Sequence, residues 1–195
     1  MGVKVLFLYP NTFGMNMLPP AIALFSSLLK ERGHKVDLFD ATYYQTNHGI
    51  NSDGTKAERL NVVPFNLEEK GIKMRDADWR VDIIEKVQSF EPDLIALSTT
   101  EDMWLLGVRL LEEMGGYITR HKIPVIAGGV FPTFAPDLVI KHRLVDMVCV
   151  GEGENSLVDL CERLDKGNSY SDVTNLWVKQ KDGSIIKNSI SNPFD

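Results

Sequence analysis

Four apolar segments have the pattern of buried parallel strands, because polar residues do not alternate with apolar ones within them, and a fifth, shorter strand is predicted after the helix stop Arg32-Gly33-His34. The stretches between them carry apolar residues at helical spacing. The predicted strands are residues 3–8, 35–39, 94–97, 125–127 and 145–150, and the predicted helices are residues 20–32, 78–90, 101–120, 136–142 and 154–164. This alternation predicts an α/β fold: a doubly wound, Rossmann-like sheet of five parallel strands with helices on both faces.

Two stretches fall outside this scheme. Residues 41–77 are polar and irregular, with a modestly apolar part at 60–67; a connection this long is uncommon in a compact domain, so either a functional lid or a surface insertion is expected. Near the end of the chain, Asp182-Gly183 separates two short β-prone runs and predicts a C-terminal β-hairpin. We therefore expect one domain over residues 1–167, and a hairpin and linker over 168–195 that lead towards a downstream domain missing from this chain.

Composition and charge narrow the class of function. The chain has 195 residues, of which 44% are hydrophobic, with a formal net charge of −6; this suits one domain with its own core and argues against a basic surface for nucleic acid. No apolar run approaches the roughly 20 residues of a membrane span. The two cysteines, Cys149 and Cys161, form no CxxC pair and are expected to be reduced thiols of a cytoplasmic protein.

Loops that follow the strands are the expected ligand site. In open α/β sheets, ligands bind beyond the carboxyl ends of the strands, where the strand order switches. The candidate residues are Asn11, Thr12, Phe13, Gly14 and Met15 after the first strand, Ser98, Thr99 and Thr100 after the strand at 94–97, Gly128, Gly129, Val130 and Phe131 after the strand at 125–127, and Gly151, Glu152 and Gly153 after the last.

Several of these residues have a structural alternative. Gly128-Gly129 would let a ligand approach the backbone, or would simply form a tight strand-to-loop turn. Ser98 would bond a ligand, or would cap the helix that starts near Glu101. Gly151-Glu152-Gly153-Glu154 offers N–H groups at a helix start, but its carboxylates would repel a phosphate, so a hydroxyl- or amide-bearing ligand suits it better.

Motifs for independent catalysis are missing from the sequence. There is no Gly-x-Gly-x-x-Gly after the first strand and no Gly-Lys-Ser/Thr loop, which disfavours ATP and NAD. The histidines His34, His48, His121 and His142 are scattered, so a zinc site is not expected and no residue is assigned as a metal ligand. There is also no Gly-x-Ser-x-Gly elbow. The chain is expected to bind a ligand and to carry no catalytic residue of its own.

Taken in order, five segments resemble a known family. Residues 5–10 (VLFLYP), Pro19-Pro20, residues 92–98 (PDLIALS), 127–133 (AGGVFPT) and 148–154 (VCVGEGE) are similar to the N-terminal cobalamin-binding domain of cobalamin-dependent radical S-adenosylmethionine enzymes. The resemblance implies that the corrin ring lies across the strand ends and that its nucleotide tail enters the sheet edge. It further implies that Ser98 bonds the tail, that Gly128 and Gly129 let it pass, and that Gly151 and Glu152 border the site.

Two departures from related proteins shape the expected chemistry. The loop at residues 11–17 would face the lower side of the corrin, but it lacks the histidine of the Asp-x-His-x-x-Gly motif found in methionine synthase and mutases. We therefore expect cobalt to be held without a histidine axial ligand. The chain also lacks CxxxCxxC, so an iron–sulfur cluster and S-adenosylmethionine are expected only in a downstream radical domain.

The leading hypothesis is a cobalamin-binding module of a radical S-adenosylmethionine enzyme, either a methyltransferase or a cyclase-like enzyme, whose partners are cobalamin and the downstream radical domain. One alternative is a non-catalytic regulatory or interaction domain of the same fold that has lost the ligand. Another is a flavodoxin-like domain, although no phosphate-cradling Ser/Thr run follows the first strand.

Overall fold

A seven-stranded sheet forms the centre of the computed structural model, which describes residues 2–12, 20–46, 69, 71 and 73–191. Its order is β2-β1-β3-β4-β5-β6-β7, and the first five strands are parallel. The strands are β1 (Lys4–Tyr9), β2 (Lys35–Asp40), β3 (Leu94–Ser98), β4 (Val125–Gly128), β5 (Met147–Cys149), β6 (Leu176–Lys179) and β7 (Ile185–Lys187).

The α/β fold with a mostly parallel sheet is confirmed, but the predicted number of five strands is wrong for the sheet as a whole. The C-terminal hairpin is not an appendage: β6 pairs antiparallel with β5, and β7 pairs antiparallel with β6. The reason lies in β5, whose three residues are all buried. Without β6 this short apolar strand would be an open sheet edge, and β6 covers it with the buried side chains of Leu176 and Val178.

Seven helices occur within the described residues. They are α1 (Pro20–Glu31), α2 (Trp79–Phe90), α3 (Glu101–Glu113), α4 (Gly115–His121), α5 (Val130–Phe134), α6 (Pro136–Val139) and α7 (Glu154–Lys166). Alternate strand residues face two cores, one under α2, α3 and α4 and the other under α1 and α7. Phe7 of β1 belongs to the second core, and Leu6 and Leu8 belong to the first.

Two predicted helices need correction, and one helix of the structure was not predicted. The continuous helix predicted over residues 101–120 is two helices that meet at Met114, whose ψ of −3° departs from helical geometry. Gly115 follows it and packs closely on Leu144, since a Cβ at that position would lie 3.3 Å from Leu144 Cδ1. The helix predicted over 136–142 ends at Val139, because His142 N–H turns back to the Val139 carbonyl. Helix α5 was not predicted.

The polar stretch after β2 begins inside the protein. Ala41, Thr42 and Tyr44 are buried, which contradicts the expectation that this stretch lies wholly outside the core. Tyr44 Oη donates to Asp82 at 2.7 Å and accepts from Arg75 at 2.8 Å, so the two ends of the stretch are held together. Residues 47–68, 70 and 72, which include the apolar part at 60–67, lie outside the described residues. In the ranges that are described, no helix is both long and apolar enough to cross a membrane.

Candidate functional site

A cavity of about 310 Å³ opens at the carboxyl ends of β3, β4 and β5, between α1 and α7. We call it the crevice. Its floor is a row of strand residues brought side by side by the parallel register, in which Phe7 pairs with Ala96 and Ala96 with Ile126. The full lining is Phe7, Ala21, Phe25, Ala96, Leu97, Ser98, Ile126, Gly128, Gly129, Val130, Thr133, Phe134, Cys149, Gly151, Glu152, Gly153, Glu154 and Leu157.

One wall of the crevice is aromatic. The rings of Phe7 and Phe25 are stacked, with centroids 6.2 Å apart and planes 13° from parallel. Gly153 makes room for this pair, because a Cβ there would lie 3.0 Å from Phe25 Cζ and 3.6 Å from Cys149 Sγ. The wall therefore suits a flat apolar group better than a charged one.

The two adjacent glycines at the end of β4, Gly128 and Gly129, have different reasons to be glycine. Gly129 adopts φ 109° and ψ −168°, and a Cβ there would lie 2.7 Å from the Thr99 carbonyl oxygen. Gly129 is thus required by the tight strand-to-loop turn, the structural alternative to a ligand contact that the sequence offered for this position. A Cβ on Gly128 would meet only Cys149 Cβ, at an ordinary 3.7 Å. The missing side chain of Gly128 leaves space in the crevice.

The predicted site residues at the end of β3 have different roles: Ser98 lines the crevice, whereas Thr99 and Thr100 make structural contacts. Ser98 lines the crevice, and it does not cap α3, whose N-cap position is Thr100. Thr99 is buried: its N–H donates to the Gly128 carbonyl at 3.0 Å and its hydroxyl to the Thr100 carbonyl at 2.9 Å. Ser98 is therefore the one of the three that can offer a hydroxyl to a ligand in the crevice.

Other predicted site residues lie elsewhere. Asn11 and Thr12 are buried outside the crevice lining, and Asn11 Nδ2 donates to Thr42 Oγ1 at 2.9 Å beside the end of β2. Phe131 packs on the opposite face of the sheet, with its ring 5.7 Å from that of Trp104. Phe13, Gly14 and Met15 lie outside the described residues.

The family model for the B12 binding domain matches residues 60–161, which is more than half of the chain. The chain belongs to the B12-binding domain family. The resemblance noted in the sequence is thereby confirmed, and cobalamin is the cofactor that this membership indicates.

This B12-binding domain is also similar in sequence to two curated proteins. It is 25% identical over 114 residues to an uncharacterized methyltransferase of Pyrococcus horikoshii, and 26% identical over 108 residues to 4'-phospho-dehydrooxetanocin synthase of Priestia megaterium. The aligned parts are 58% and 54% of this chain, but only 24% and 14% of those proteins. The chain thus corresponds to a small part of the relatives it matches.

Solved structures share its fold. The B12-binding domain is similar to the radical S-adenosylmethionine methyltransferase TsrM from Kitasatospora setae with cobalamin and a [4Fe-4S] cluster bound, with a TM-score of 0.67, 17% identity, and coverage of 98% of this chain and 30% of that one. It is also similar to the cobalamin-dependent S-adenosylmethionine radical enzyme OxsB with aqua-cobalamin and S-adenosylmethionine bound. The TM-score is 0.64 and the identity 20%, and the match covers 97% of this chain and 22% of the OxsB chain.

The interior of the crevice in this B12-binding domain was not predicted from the sequence. The prediction covered the loops after the strands, whereas the interior is formed by strand residues and one helix residue: Phe7, Ala96, Ile126 and Cys149 on the strands and Phe25 on α1. A signal was present: Ala96, Ser98 and Gly128 are small residues on one face of strands otherwise rich in large ones, and the register pairs Ser98 with Gly128. Small residues paired across neighbouring buried strands indicate space above the sheet.

Both thiols of the B12-binding domain are expected to be unreactive. Burial, followed by the carboxylates of Glu154 and Glu152, raises the pKa of Cys149 to about 12, and burial raises that of Cys161 to about 12 as well. At pH 8, about one thiol in ten thousand would then be ionised. We expect Ellman's reagent to label neither cysteine in native protein within minutes at pH 8, and both in urea. Rapid labelling of native protein would contradict the burial of these side chains.

Proposed function

We propose that this chain binds cobalamin in the crevice, with the nucleotide tail in the cavity and the corrin ring over the loops after the strands. The observation that carries the proposal is the apolar cavity at the carboxyl ends of β3, β4 and β5, which opens where Gly128 lacks a side chain. Such an edge is where open α/β sheets bind ligands.

The lining fits the chemistry of the tail. Its base is a flat aromatic ring, which suits the stacked Phe7 and Phe25 and the aliphatic floor at Ile126 and Leu157. Ser98 is in position to hydrogen-bond a polar atom of the tail. Glu152, on the exposed loop after β5, would border the ligand as an acceptor for hydroxyl or amide donors. We assign Thr99, Thr100 and Phe131 to supporting the loops that bear these residues.

The cobalt centre is proposed to receive no histidine from this chain. Residues 11–17 contain none. Among the described histidines, His34 and His121 lie just before strands, at the amino edge of the sheet, and the His142 ring packs on Trp104 in the core on the face opposite the crevice. His34 Nδ1 accepts from the Val3 N–H at 3.0 Å, which fixes it there. The described residues also include no cluster of His, Cys, Asp and Glu that could hold a metal ion.

The parent activity proposed is that of a radical S-adenosylmethionine enzyme, either a methyltransferase or a cyclase-like enzyme. The family membership and the likeness to both TsrM and OxsB support it. In this proposal the iron–sulfur cluster and S-adenosylmethionine belong to a separate domain, and this chain holds the corrinoid. Holding two reacting centres in a fixed geometry removes a large entropic part of a reaction barrier, up to roughly 7–11 kcal/mol.

Retention of hydroxocobalamin tests the proposal. Purified protein is incubated with excess hydroxocobalamin and desalted, and the visible spectrum is recorded. We expect a red protein with close to one equivalent of bound corrinoid and a spectrum shifted from that of the free compound. A colourless protein that remains folded by circular dichroism would overturn the proposal and favour a regulatory or interaction domain that has lost the ligand.

The axial arrangement has its own test. We expect the paramagnetic resonance spectrum of the bound cobalt(II) form to lack the splitting caused by a nitrogen ligand, because the proposal holds the tail base in the cavity and takes no ligand from residues 11–17 or from the described histidines. A nitrogen-split spectrum with retained binding would contradict the axial assignment and leave cobalamin binding intact.

A further inference from the structure

Asn175, a residue outside the crevice lining, connects the loop at 151–153 to the end of the described chain. It is 2% exposed and adopts a left-handed backbone with φ 67°. Asparagine tolerates this conformation better than most residues that carry a side chain. A buried amide held at such a backbone position must satisfy its polar groups within the protein.

Each polar group of Asn175 is engaged. Its carbonyl accepts from the Val150 N–H at 2.9 Å, and its own N–H donates to the Ser189 carbonyl at 2.9 Å. The side-chain Nδ2 donates to the Glu152 carbonyl at 2.7 Å and to Ser191 Oγ at 2.9 Å, and Oδ1 accepts from the Ser191 N–H at 2.6 Å. One residue thus joins the end of β5, the crevice loop and residues 189–191.

The loop at 151–153 has few other restraints before the start of α7, where the Gly153 carbonyl accepts from the Leu157 N–H at 2.8 Å. Gly151 has φ 87°, its N–H donates to Thr133 Oγ1 at 3.2 Å, and its open side faces Ile190, whose Cγ2 lies 3.5 Å from where a Cβ would be. The Glu152 carbonyl is turned inward to Asn175, and the Cys149 thiol contacts the same oxygen only distantly, at 3.9 Å. The bond from Asn175 Nδ2 is therefore the main hydrogen bond that orients Glu152.

We propose that Asn175 is a positioning residue for the crevice: it holds the 151–153 loop in its ligand-ready form and couples that loop to residues 189–191. This inference rests on the proposed function. Coupling between two sites is reciprocal. A ligand that stabilises the loop therefore also stabilises residues 189–191, and displacing residues 189–191 lowers the affinity for the ligand.

The experiment compares three variants of the whole chain for hydroxocobalamin affinity. Asn175→Gly keeps the left-handed backbone and removes all three side-chain hydrogen bonds; we expect affinity about tenfold weaker, within the usual range for coupled sites. Asn175→Asp keeps an acceptor for the Ser191 N–H but places a carboxylate oxygen against the Glu152 carbonyl, so we expect a comparable loss. Asn188→Ala is the matched control, because Asn188 Nδ2 bonds the Ser171 and Leu176 carbonyls in the same region and makes no contact with the loop.

Hydrogen exchange separates positioning from a general loss of stability. In wild-type protein, hydroxocobalamin should slow exchange at the Ser191 amide; in Asn175→Gly it should not, whereas Asn175→Asp should keep that amide partly protected even without ligand. Wild-type affinity in both Asn175 variants, or ligand-dependent protection of Ser191 that survives Asn175→Gly, would overturn the inference. If wild-type protein itself binds no hydroxocobalamin, the proposed function fails instead, and this result is read before any variant is compared.

Discussion

Replacing Gly129 by alanine is expected to lower the free energy of unfolding by about 3 kcal/mol. Its backbone, at φ 109° and ψ −168°, lies in a region that only glycine adopts readily, and forcing another residue there costs about 1–3 kcal/mol. The new Cβ would also lie 2.7 Å from the Thr99 carbonyl oxygen. That oxygen belongs to the backbone, so it cannot rotate away. Urea unfolding followed by circular dichroism measures the loss.

Gly128→Ala is the matched control, one residue earlier in the same chain segment. Its Cβ would meet Cys149 Cβ at 3.7 Å, an ordinary contact, and the backbone of Gly128 is not left-handed. We expect its unfolding free energy to stay within about 1 kcal/mol of wild type. Equal stability of the two variants would mean that the turn at Gly129 does not have the geometry described.

Gly128→Val is expected to weaken hydroxocobalamin binding about a hundredfold while the protein stays folded. The valine methyl groups would occupy a cavity of only about 310 Å³ on the path of the tail. Overpacking a filled site costs about 1–3 kcal/mol, and every 1.4 kcal/mol is a factor of ten in affinity. Valine also suits a strand, so the sheet itself should tolerate it. Titration followed by visible absorbance gives the affinity, and urea unfolding verifies the fold.

Gly116→Val provides the comparison for this binding experiment. Gly116 is exposed on α4, under the opposite face of the sheet, and no heavy atom lies within 4 Å of a Cβ built there. The substitution adds the same atoms far from the crevice and should leave affinity unchanged. Full binding by Gly128→Val would place the ligand outside this cavity, and equal weakening in both variants would point to a general effect on folding.

Most of the parallel strands could be predicted, because burial on both faces favours a continuous apolar run such as residues 94–97, with no polar residue in alternation. The hairpin's place in the sheet could not, because strand pairing depends on which edge needs cover. In sequence, Leu176–Lys179 is three apolar residues followed by a lysine, and only the structure shows alternating burial, with Leu176 and Val178 buried and Trp177 and Lys179 half-buried. Such a short apolar run would suit a free hairpin or an added pair of strands.

The candidate site was predictable at its rim and not in its depth. Gly128, Gly151 and Glu152 follow strands, and the topology of any doubly wound sheet brings such residues to one edge. Phe25 could not be found this way, since it lies on a helix and reaches the crevice only through the packing of α1 on the sheet. Val130 and Phe131 show the remaining difficulty: one short helix, α5, directs adjacent side chains to opposite faces.

The added hairpin has a practical consequence for labelling. Since β6 runs antiparallel to β5 and β7 runs back again, residues 189–191 come out beside Gly151, whereas Gly2 lies against Gly33 at the far end of β1. A strand of six residues spans about 20 Å, so a dye attached at residue 191 would sit close to the crevice and one attached at Gly2 roughly that much farther away. Corrinoids absorb visible light, and a pair of singly labelled proteins would therefore report ligand arrival through unequal fluorescence quenching.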